Sequence, residues 1–314
     1  MLRSKSKFHV SMLYRWLSAQ SSVNIFDRRA KRWQKNRAAA SPNASTYDYL
    51  KDEVAYRLVD RLGDVSRAFP LALDLGSGRG HVAKFADSDS IGLLVQTDMA
   101  EEALKNVTCA TTTTKIQADE ESIPFRTNSF DLVTSCLALH WVNDLPGTFQ
   151  QILNLLREDG VFIGALFAVD TLFELRCAFQ LAEEAMRGGV AARVSPFTDM
   201  QDVGSLLSRA GFVMTTIDVD EIVVNYPTMR ALMKDLQCMG ESNAAWTRSN
   251  YISKSVLREA ETIYKSMYGI EEDGSSIPAT YRVLHMIGWK PGGNQWQAAE
   301  RGSGTVSLKD VLEK

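Results

Sequence analysis

The sequence contains few of the residues from which disulfide frameworks and metal sites are built. Among 314 residues there are four cysteines and four histidines, and no two cysteines form a Cys-x-x-Cys pair. Widely spaced cysteines of this kind favour reduced structural thiols over a disulfide framework or a zinc knuckle. A non-haem iron site needs two histidines and a carboxylate, yet the chain has no His-x-Asp or His-x-Glu pair. We therefore expect no metal site.

The chain also lacks any run of the roughly 18 apolar residues that a membrane-spanning helix requires. Its composition, 45% hydrophobic and 23% charged, is that of a globular protein and excludes a fibrous or wholly disordered chain. At about 150 residues per domain, the length suits two domains or one α/β domain with additions.

Acidic residues are nearly absent from the first 40 positions, which hold ten Lys and Arg residues and a single acid, Asp27. The rest of the chain therefore holds 25 of the 35 basic residues and 37 of the 38 acidic ones. Because the chain after residue 40 carries a strong net negative charge and phosphate recognition needs a basic surface, a nucleic-acid partner is not expected.

Residues 1–26 combine basic residues and serines with scattered apolar side chains, a composition typical of a mitochondrial transit peptide. Arg15 interrupts the apolar core that a secretory signal would need, and a disordered basic tail is the remaining alternative. The basic residues 27–46 are interpreted as a linker, either a solvated helix face or a segment that touches anionic lipid. Import into the mitochondrial matrix is therefore predicted.

Strand and helix patterns alternate after residue 47. A helix is predicted over 47–62, and apolar runs such as LALDL, GLLVQTD, FDLVTSCLAL and VFIGALFAV are interpreted as strands separated by helices. Such interleaving predicts a parallel sheet covered by helices on both faces. After residue 170, amphipathic helices dominate, with a further strand in VMTTIDVDEIVV and a closing strand in YRVLHMIGWK.

A glycine-rich turn, LDLGSGRG at 73–80, follows the first predicted strand. Glycines there let the backbone bend tightly and approach a ligand without interference from a Cβ atom. The dinucleotide-binding fingerprint would need a glycine where this chain has His81, so a ligand without a pyrophosphate is favoured. Asp98 follows the second strand, 22 residues after Gly76, at the spacing at which an acid binds ribose hydroxyls. Asp119 lies 21 residues further on, where a carboxylate can accept a hydrogen bond from an exocyclic amine.

Taken together, these segments resemble a known family. The stretches DLGSGRG, QTDMAEEAL, QADEESIPF, FDLVTSCLALHWVND and LREDGVFIG, within residues 45–170, are similar to successive motifs of class I S-adenosylmethionine-dependent methyltransferases. Further stretches, among them DTLFELR, DEIVVNYP and MGESNAAW, are similar to a narrower group. That group is the mitochondrial complex I assembly factors related to the malonyl-carrier-protein methyltransferase of biotin synthesis. Its members are described as arginine hydroxylases of a core subunit of NADH:ubiquinone oxidoreductase.

The resemblance implies the fold class: α/β, with a Rossmann-like seven-stranded class I methyltransferase sheet, helices on both faces and extra C-terminal helices. It implies a methyltransferase-like domain at 47–290, with a cofactor half at 47–170, substrate-side additions at 171–280 and a closing strand at 281–290. A polar tail would follow at 291–314.

The cofactor implied by the resemblance is S-adenosyl-L-methionine. Carried over motif by motif, the residues expected to bind it are Asp74, Gly76, Ser77, Gly78 and Gly80 in the turn, Asp98 and Met99 after the second strand, Asp119 and Glu120 after the third, and Leu137 after the fourth. Ser77 stands where the common motif has Cys, a change that the pocket should tolerate.

The implied partners are the core complex I subunit that carries the target arginine and other assembly factors, with peripheral contact to the inner membrane and no nucleic acid. His140 is expected to face the sulfonium, either as a general base or as a packing residue. A substrate guanidinium needs a carboxylate, and Glu174 and Glu241 are the candidates. Alternatively, Glu174 is a helix-start acid and Glu241 a solvated loop residue. Three functions stay open: arginine hydroxylation, true methyl transfer to a protein or carboxylate, and a non-catalytic assembly chaperone.

Overall fold

The structure, a computed structural model, describes residues 24–105, 112–249, 251–270, 276–293, 295 and 301–303. Nearly all of the predicted transit peptide and much of the predicted polar tail lie outside the described residues. Cys109 also lies outside them, whereas Cys136, Cys177 and Cys238 are free thiols, as the sequence predicts. No helix in the described part of the chain is both long enough and apolar enough to cross a membrane.

Seven strands form one sheet, in the order β3-β2-β1-β4-β5-β7-β6. The first five run parallel, and β7 lies antiparallel between β5 and β6. The predicted Rossmann-like seven-stranded sheet is thereby confirmed. The strands are β1 (Phe69–Leu75), β2 (Ile91–Asp98), β3 (Thr112–Gln117), β4 (Phe130–Cys136), β5 (Leu156–Phe167), β6 (Val213–Tyr226) and β7 (Ile277–Trp289).

Helices cover both faces of the sheet, as predicted. Within the described ranges they are α1 (Arg28–Ala39), α2 (Tyr49–Gly63), α3 (His81–Phe85), α4 (Glu101–Lys105), α5 (Leu145–Leu155), α6 (Phe173–Arg187), α7 (Met200–Ala210), α8 (Met229–Cys238) and α9 (Lys254–Tyr268). Two short 3-10 helices lie at Ala44–Tyr47 and Leu139–Trp141.

A separate apolar core lies on each face of the sheet, because the buried strands present apolar side chains to both sides. On one face, α2 and α6 contribute side chains such as Leu58 and Phe179, together with residues of α8 and α9. On the other face, α5 and α7 contribute Phe149 and Leu207. Burial of each such side chain stabilises the fold by roughly 1.5–3 kcal/mol. The two layers thus hold the strands in register and fix the positions of their ends.

Several elements differ from the sequence prediction. Residues 27–46, interpreted as a linker with either a solvated helix face or a lipid contact, do contain a helix, α1, but this helix is not wholly solvated, because it buries Lys31, Ala38 and Ala39. The predicted strand FDLVTSCLAL ends early, at Cys136, because Leu137 adopts a positive φ of 49° and turns the chain into the 3-10 helix. β5 begins at Leu156, directly after helix α5 ends at Leu155, and so includes residues before the apolar run VFIGALFAV. Strand β3 matches none of the apolar runs in the sequence, although the resemblance implies seven strands, and helix α9 has no counterpart among the predicted helices.

His285 is a buried histidine on β7, only 3% exposed. Its Nε2 lies 3.3 Å from Oδ2 of Asp220 on the neighbouring strand β6. Burial, reinforced by the nearby Arg61 guanidinium, lowers the pKa of His285 to about 4. His285 is therefore neutral in the folded protein at pH values where a free histidine takes up a proton.

This burial makes stability depend on pH. An unfolded histidine titrates near pH 6.5, so between about pH 7 and pH 4 the unfolded state binds a proton that the folded state does not. As the pH falls from 7 to 4, we expect the unfolding free energy of the wild-type protein to decrease by about 1–3 kcal/mol more than that of His285→Leu. Urea titrations of both proteins at several pH values measure the difference, and a difference that is constant with pH would contradict the neutral assignment.

Candidate functional site

The candidate site lies at the carboxyl edge of the parallel strands, where β1, β2 and β4 end. After β1, Gly76, Gly78 and Gly80 adopt left-handed backbone conformations, with φ of 72°, 56° and 81°. A Cβ added at Gly76 would come within 2.3 Å of the Ala138 Cβ. The chain thus turns here in a way that only glycine adopts without strain, as expected of a loop that approaches a ligand.

Asp98 ends β2 directly beside this loop and is fully buried. Its Oδ1 accepts a hydrogen bond from the Ala100 N–H at 2.8 Å, and its Oδ2 accepts one from the Gly78 N–H at 3.0 Å. These backbone donors orient the carboxylate and stabilise its charge. The structure therefore brings Asp98 and the glycine loop together, as their spacing in the sequence suggests.

Asp119 and Glu120 follow β3 and reach the same edge of the sheet. The Glu120 side chain is 1% exposed and that of Asp119 is 45% exposed, so the two acids differ in their access to water. Met99 and Leu137, also assigned to the cofactor by sequence, are both buried. The Met99 carbonyl accepts a hydrogen bond from Gln117 Nε2 at 3.0 Å, which ties the end of β2 to the end of β3.

Asp74 and Ser77 place polar atoms beneath the loop. Asp74 Oδ1 accepts a hydrogen bond from Thr134 Oγ1 at 3.1 Å, while Asp74 Oδ2 and Ser77 Oγ are buried with no hydrogen-bond partner. Burial raises the pKa of Asp74 to about 7, and the nearby Asp98 charge contributes in the same direction. Buried polar atoms without partners are uncommon, so both suit contact with a ligand.

Helix α1 supplies the cations of the site. The sequence analysis did not assign these cations to the site. Arg28 Nη2 pairs with Asp119 Oδ1 at 2.5 Å and also with Glu120 Oε2. Lys35 Nζ lies 3.0 Å from Asp98 Oδ2 and 3.5 Å from Glu120 Oε1. The sequence did indicate that Arg28 and Lys35 belong together, because they are seven positions apart and residues at that spacing lie on one helix face. The predicted linker is therefore a structural part of the site.

Lys31 lies between these two cations and is completely buried. Its Nζ donates hydrogen bonds to the Gly240 carbonyl at 2.9 Å and the Ser242 carbonyl at 2.8 Å, and lies 3.3 Å from the centroid of the Trp141 ring. Burial lowers the pKa of Lys31 well below its ordinary value, although the neighbouring Glu241 opposes the shift. Lys31 anchors α1 to the loop that follows α8.

Glu241, a candidate substrate residue, is buried in that loop and is not a solvated loop residue. Its Oε1 lies 2.8 Å from Lys51 Nζ, and its Oε2 accepts a hydrogen bond from Trp141 Nε1 at 2.8 Å. Burial alone would raise the pKa of Glu241, but Lys51 and its other cationic and hydrogen-bonding neighbours hold it well below its usual range. Glu241 is therefore a carboxylate that links three segments of the site.

His140 lies in the 3-10 helix after β4, in contact with Glu241. Its Nε2 is 3.3 Å from Glu241 Oε2, and its ring centroid is 4.9 Å from that of Phe167 and 5.1 Å from that of Trp141. Burial lowers the pKa of His140, which favours the neutral imidazole. The structure thus gives His140 aromatic packing and one carboxylate partner, and its Nδ1 is buried without a partner.

Glu174, the other candidate substrate residue, is separate from this group. It lies in the first turn of α6 and accepts hydrogen bonds from Thr280 Oγ1 at 2.5 Å and from the Thr280 N–H at 3.3 Å. These contacts connect α6 to β7. The structure therefore gives Glu174 a buried structural role and does not bring it together with His140 and Glu241.

A cavity of about 220 Å³ opens beside Trp141 and Glu241. We call it the Trp141 cavity. Two arginines at its wall are already paired, Arg193 with Glu183 and Arg248 with Asp27. Most of the remaining wall is apolar, and its larger apolar side chains include Leu175, Phe179, Phe197, Met233 and Leu236. In the described part of the chain, no group of three or more His, Cys, Asp and Glu residues is arranged to hold a metal ion.

Comparison with known proteins identifies the family. Residues 73–164 match a family model described as "Methyltransferase domain". The protein "Arginine-hydroxylase NDUFAF5, mitochondrial" of Homo sapiens is 53% identical over 291 residues, which span 92% of this chain and 84% of that protein. The chain belongs to the NDUFAF5 family. The Dictyostelium discoideum member is 38% identical and covers 95% of the chain and 72% of its own length.

More distant proteins are similar to this chain, one in sequence and one in fold alone. "Malonyl-[acyl-carrier protein] O-methyltransferase" of Methylovorus sp. (strain MP688) is 32% identical over 85% of the chain and 90% of its own length. Among solved structures, the YcgJ protein of Bacillus subtilis superposes with a TM-score of 0.51 at 16% identity, over 75% of this chain and 98% of that one. This second similarity concerns the fold alone.

The Gly76 turn gives a direct test of the loop geometry. We expect Gly76→Ala to lower the unfolding free energy by about 2 kcal/mol or more, because the new Cβ would collide with Ala138 and Gly76 has a positive φ. The matched control is Gly189→Ala, since a Cβ there meets nothing within 4 Å. Thermal denaturation of both variants measures the effect, and equal melting temperatures would show that the loop tolerates a side chain.

Proposed function

We propose that the protein is a mitochondrial arginine hydroxylase that modifies an arginine of a core complex I subunit at an early stage of assembly. The observation that carries the proposal is the 53% identity to human "Arginine-hydroxylase NDUFAF5, mitochondrial" over 92% of the chain. The geometry supports it, because Lys51 lies in the pocket beside Gly78 and Asp98 and pairs with Glu241 in the wall of the Trp141 cavity.

The residues at the carboxyl edge fit S-adenosyl-L-methionine. The glycine loop leaves room for close approach, and Asp74 Oδ2 and Ser77 Oγ are buried atoms that lack partners in the described structure. Asp98 would hold the ribose hydroxyls, and Asp119 and Glu120 would flank the adenine. When bound, this cofactor would supply a methyl group activated by the sulfonium, which serves the transfer reaction. Hydroxylation would instead take its oxygen atom from dioxygen, with two electrons and two protons from a reductant reducing the second oxygen to water. The chain's own residues bind and orient the cofactor and exclude water from it.

The Trp141 cavity fits the side chain of a substrate arginine. A guanidinium stacks on aromatic rings and pairs with carboxylates, and the cavity offers Trp141 and Glu241 for these two contacts. The apolar walls would receive the methylene groups of the arginine. Glu241 already pairs with Lys51, so an incoming guanidinium would share or replace that cation.

True methyl transfer is the second candidate function. It is favoured by the 32% identity to a malonyl-carrier-protein methyltransferase and by the methyltransferase domain at 73–164. For a transfer reaction the chain mainly needs to align the acceptor with the methyl group, and neutral His140 is the group that could take up a proton. A non-catalytic assembly chaperone remains the third candidate, and it predicts no covalent change in the partner.

Mass spectrometry of the partner subunit tests the function. We expect the target arginine to gain one oxygen in cells that express the protein, and to stay unmodified when Asp98→Ala or Glu241→Gln replaces it. Asp98→Ala should weaken cofactor binding by about 1–3 kcal/mol. Glu241→Gln keeps the shape of the side chain but removes the charge that faces both Lys51 and the guanidinium, so its cofactor affinity is measured beside the modification and is expected to change less than that of Asp98→Ala.

The control for these variants is Glu184→Gln, an exposed position on α6. A gain of one methyl group would favour the transferase, and complex I assembly without any modification would favour the chaperone. If Glu174→Gln abolishes the modification while Glu241→Gln does not, the assignment of the cavity to the substrate is wrong.

Location in the matrix, peripherally on the inner membrane, is also proposed. Arg29, Trp33 and Arg37 recur every four residues on the outward side of α1, all exposed, with Arg37 stacked 4.8 Å from the Trp33 ring centroid. An outward row of arginines beside an exposed indole suits contact with anionic headgroups.

Vesicle co-sedimentation tests this surface. We expect the wild-type protein to sediment with phosphatidylcholine vesicles that contain cardiolipin, and the double variant Arg29→Gln/Arg37→Gln to sediment several-fold less, because it lacks two of the headgroup contacts. The control, Arg126→Gln/Arg209→Gln, removes the same charge from exposed positions elsewhere. Equal loss in both double variants would indicate a nonspecific effect of net charge.

A further inference from the structure

Asp98 has little capacity left for a ligand in the described structure. An ionised carboxylate offers about four acceptor positions on its two oxygens. Asp98 Oδ1 receives the Ala100 N–H, and Oδ2 receives both the Gly78 N–H and the Lys35 ammonium. A ribose would need to donate both of its hydroxyl hydrogens to this group. Three of the acceptor positions are occupied, so a ribose diol and Lys35 cannot both be accommodated.

Lys35 is held on the acid by more than one contact. Its side chain is 10% exposed and also lies near Glu120, and although burial opposes the charge, Asp98 and Glu120 together raise the pKa of Lys35. The helix that carries Lys35 is fixed at both ends. Asp27, its N-cap, pairs with Arg248 at 2.8 Å, and Asn36 Oδ1 accepts a hydrogen bond from the Glu102 N–H at 3.0 Å.

We propose that α1 is an autoinhibitory latch, in which Lys35 competes with the cofactor's ribose for Asp98. The inference rests on the proposed function, since it assumes that Asp98 binds a ribose. Entry of the nucleoside moves the Lys35 ammonium off Asp98, and the two ribose hydroxyls take its place as donors. Arg28 keeps Asp119 and Glu120 neutralised during this exchange.

The latch has a signature that a purely structural lysine would not have. Lys35 opposes only the part of the ligand that needs Asp98, so its removal should help a nucleoside with ribose hydroxyls and leave a nucleoside without them unaffected. A lysine that merely supports the fold would change the affinity for both nucleosides equally. A lysine that contacts the bound cofactor would strengthen binding, and its removal would weaken it.

A mutant-by-ligand cycle measures this signature by calorimetry. The probes are adenosine and 2′,3′-dideoxyadenosine, which are uncharged and therefore insensitive to the net charge of the protein. The protein is the full chain as wild type, Lys35→Met and Arg32→Met. Arg32 is an exposed cation on the same helix and serves as the matched control.

We expect the preference for adenosine over the dideoxy compound to rise about tenfold in Lys35→Met, and to be unchanged in Arg32→Met. Lys35→Gln, which keeps a long polar side chain, replaces Lys35→Met in the cycle if that variant does not fold. An unchanged or reduced preference in a folded Lys35 variant overturns the latch while leaving cofactor binding intact. If no variant binds adenosine or S-adenosylmethionine, the cofactor assignment in the proposed function fails, and the latch with it.

Discussion

The candidate site depends on the neutralisation of three acids by one helix. Asp98, Asp119 and Glu120 converge at the carboxyl edge of the sheet, where partial burial makes unpaired charges costly. The counter-charges come from the inward face of α1, and Lys31 fixes that face to Trp141 and to the loop after α8. The segment that looks like a basic linker in the sequence is therefore what allows the acids to lie together.

Most of the fold can be predicted from the sequence, because its elements carry strong periodic signals. The strands of the central sheet are apolar runs bounded by glycine or acids, and the amphipathic helices have regular spacing. β3 could not be found in this way, since its sequence TTTKIQ is largely exposed at the sheet edge and has no apolar run. Helix α9 did carry a signal in the four-residue spacing of Val256, Ala260 and Tyr264, which are all buried.

The candidate site was predictable only in part. Its acids follow strands in the sequence, so the topology of the sheet alone brings them to one edge. The cations come from far away in the chain, and their spacing indicates a helix face without indicating what that face meets. Glu241 lies in the stretch MGESNAAW, which resembles the narrower family but has no pattern that indicates a buried acid; its burial follows from the tertiary packing of the loop after α8 against α1 and α2.

Trp141 connects the two halves of the site. Lys31 of α1 lies on the face of its indole ring, its Nε1 donates to Glu241, and the same side chain forms part of the cavity wall. A shift of α1 would therefore alter the shape and charge of the cavity without any direct contact between the two ligands. Under the proposed function, the cofactor pocket and the substrate cavity would therefore share one indole ring, so that occupancy of one could be felt at the other through Lys31 and Glu241.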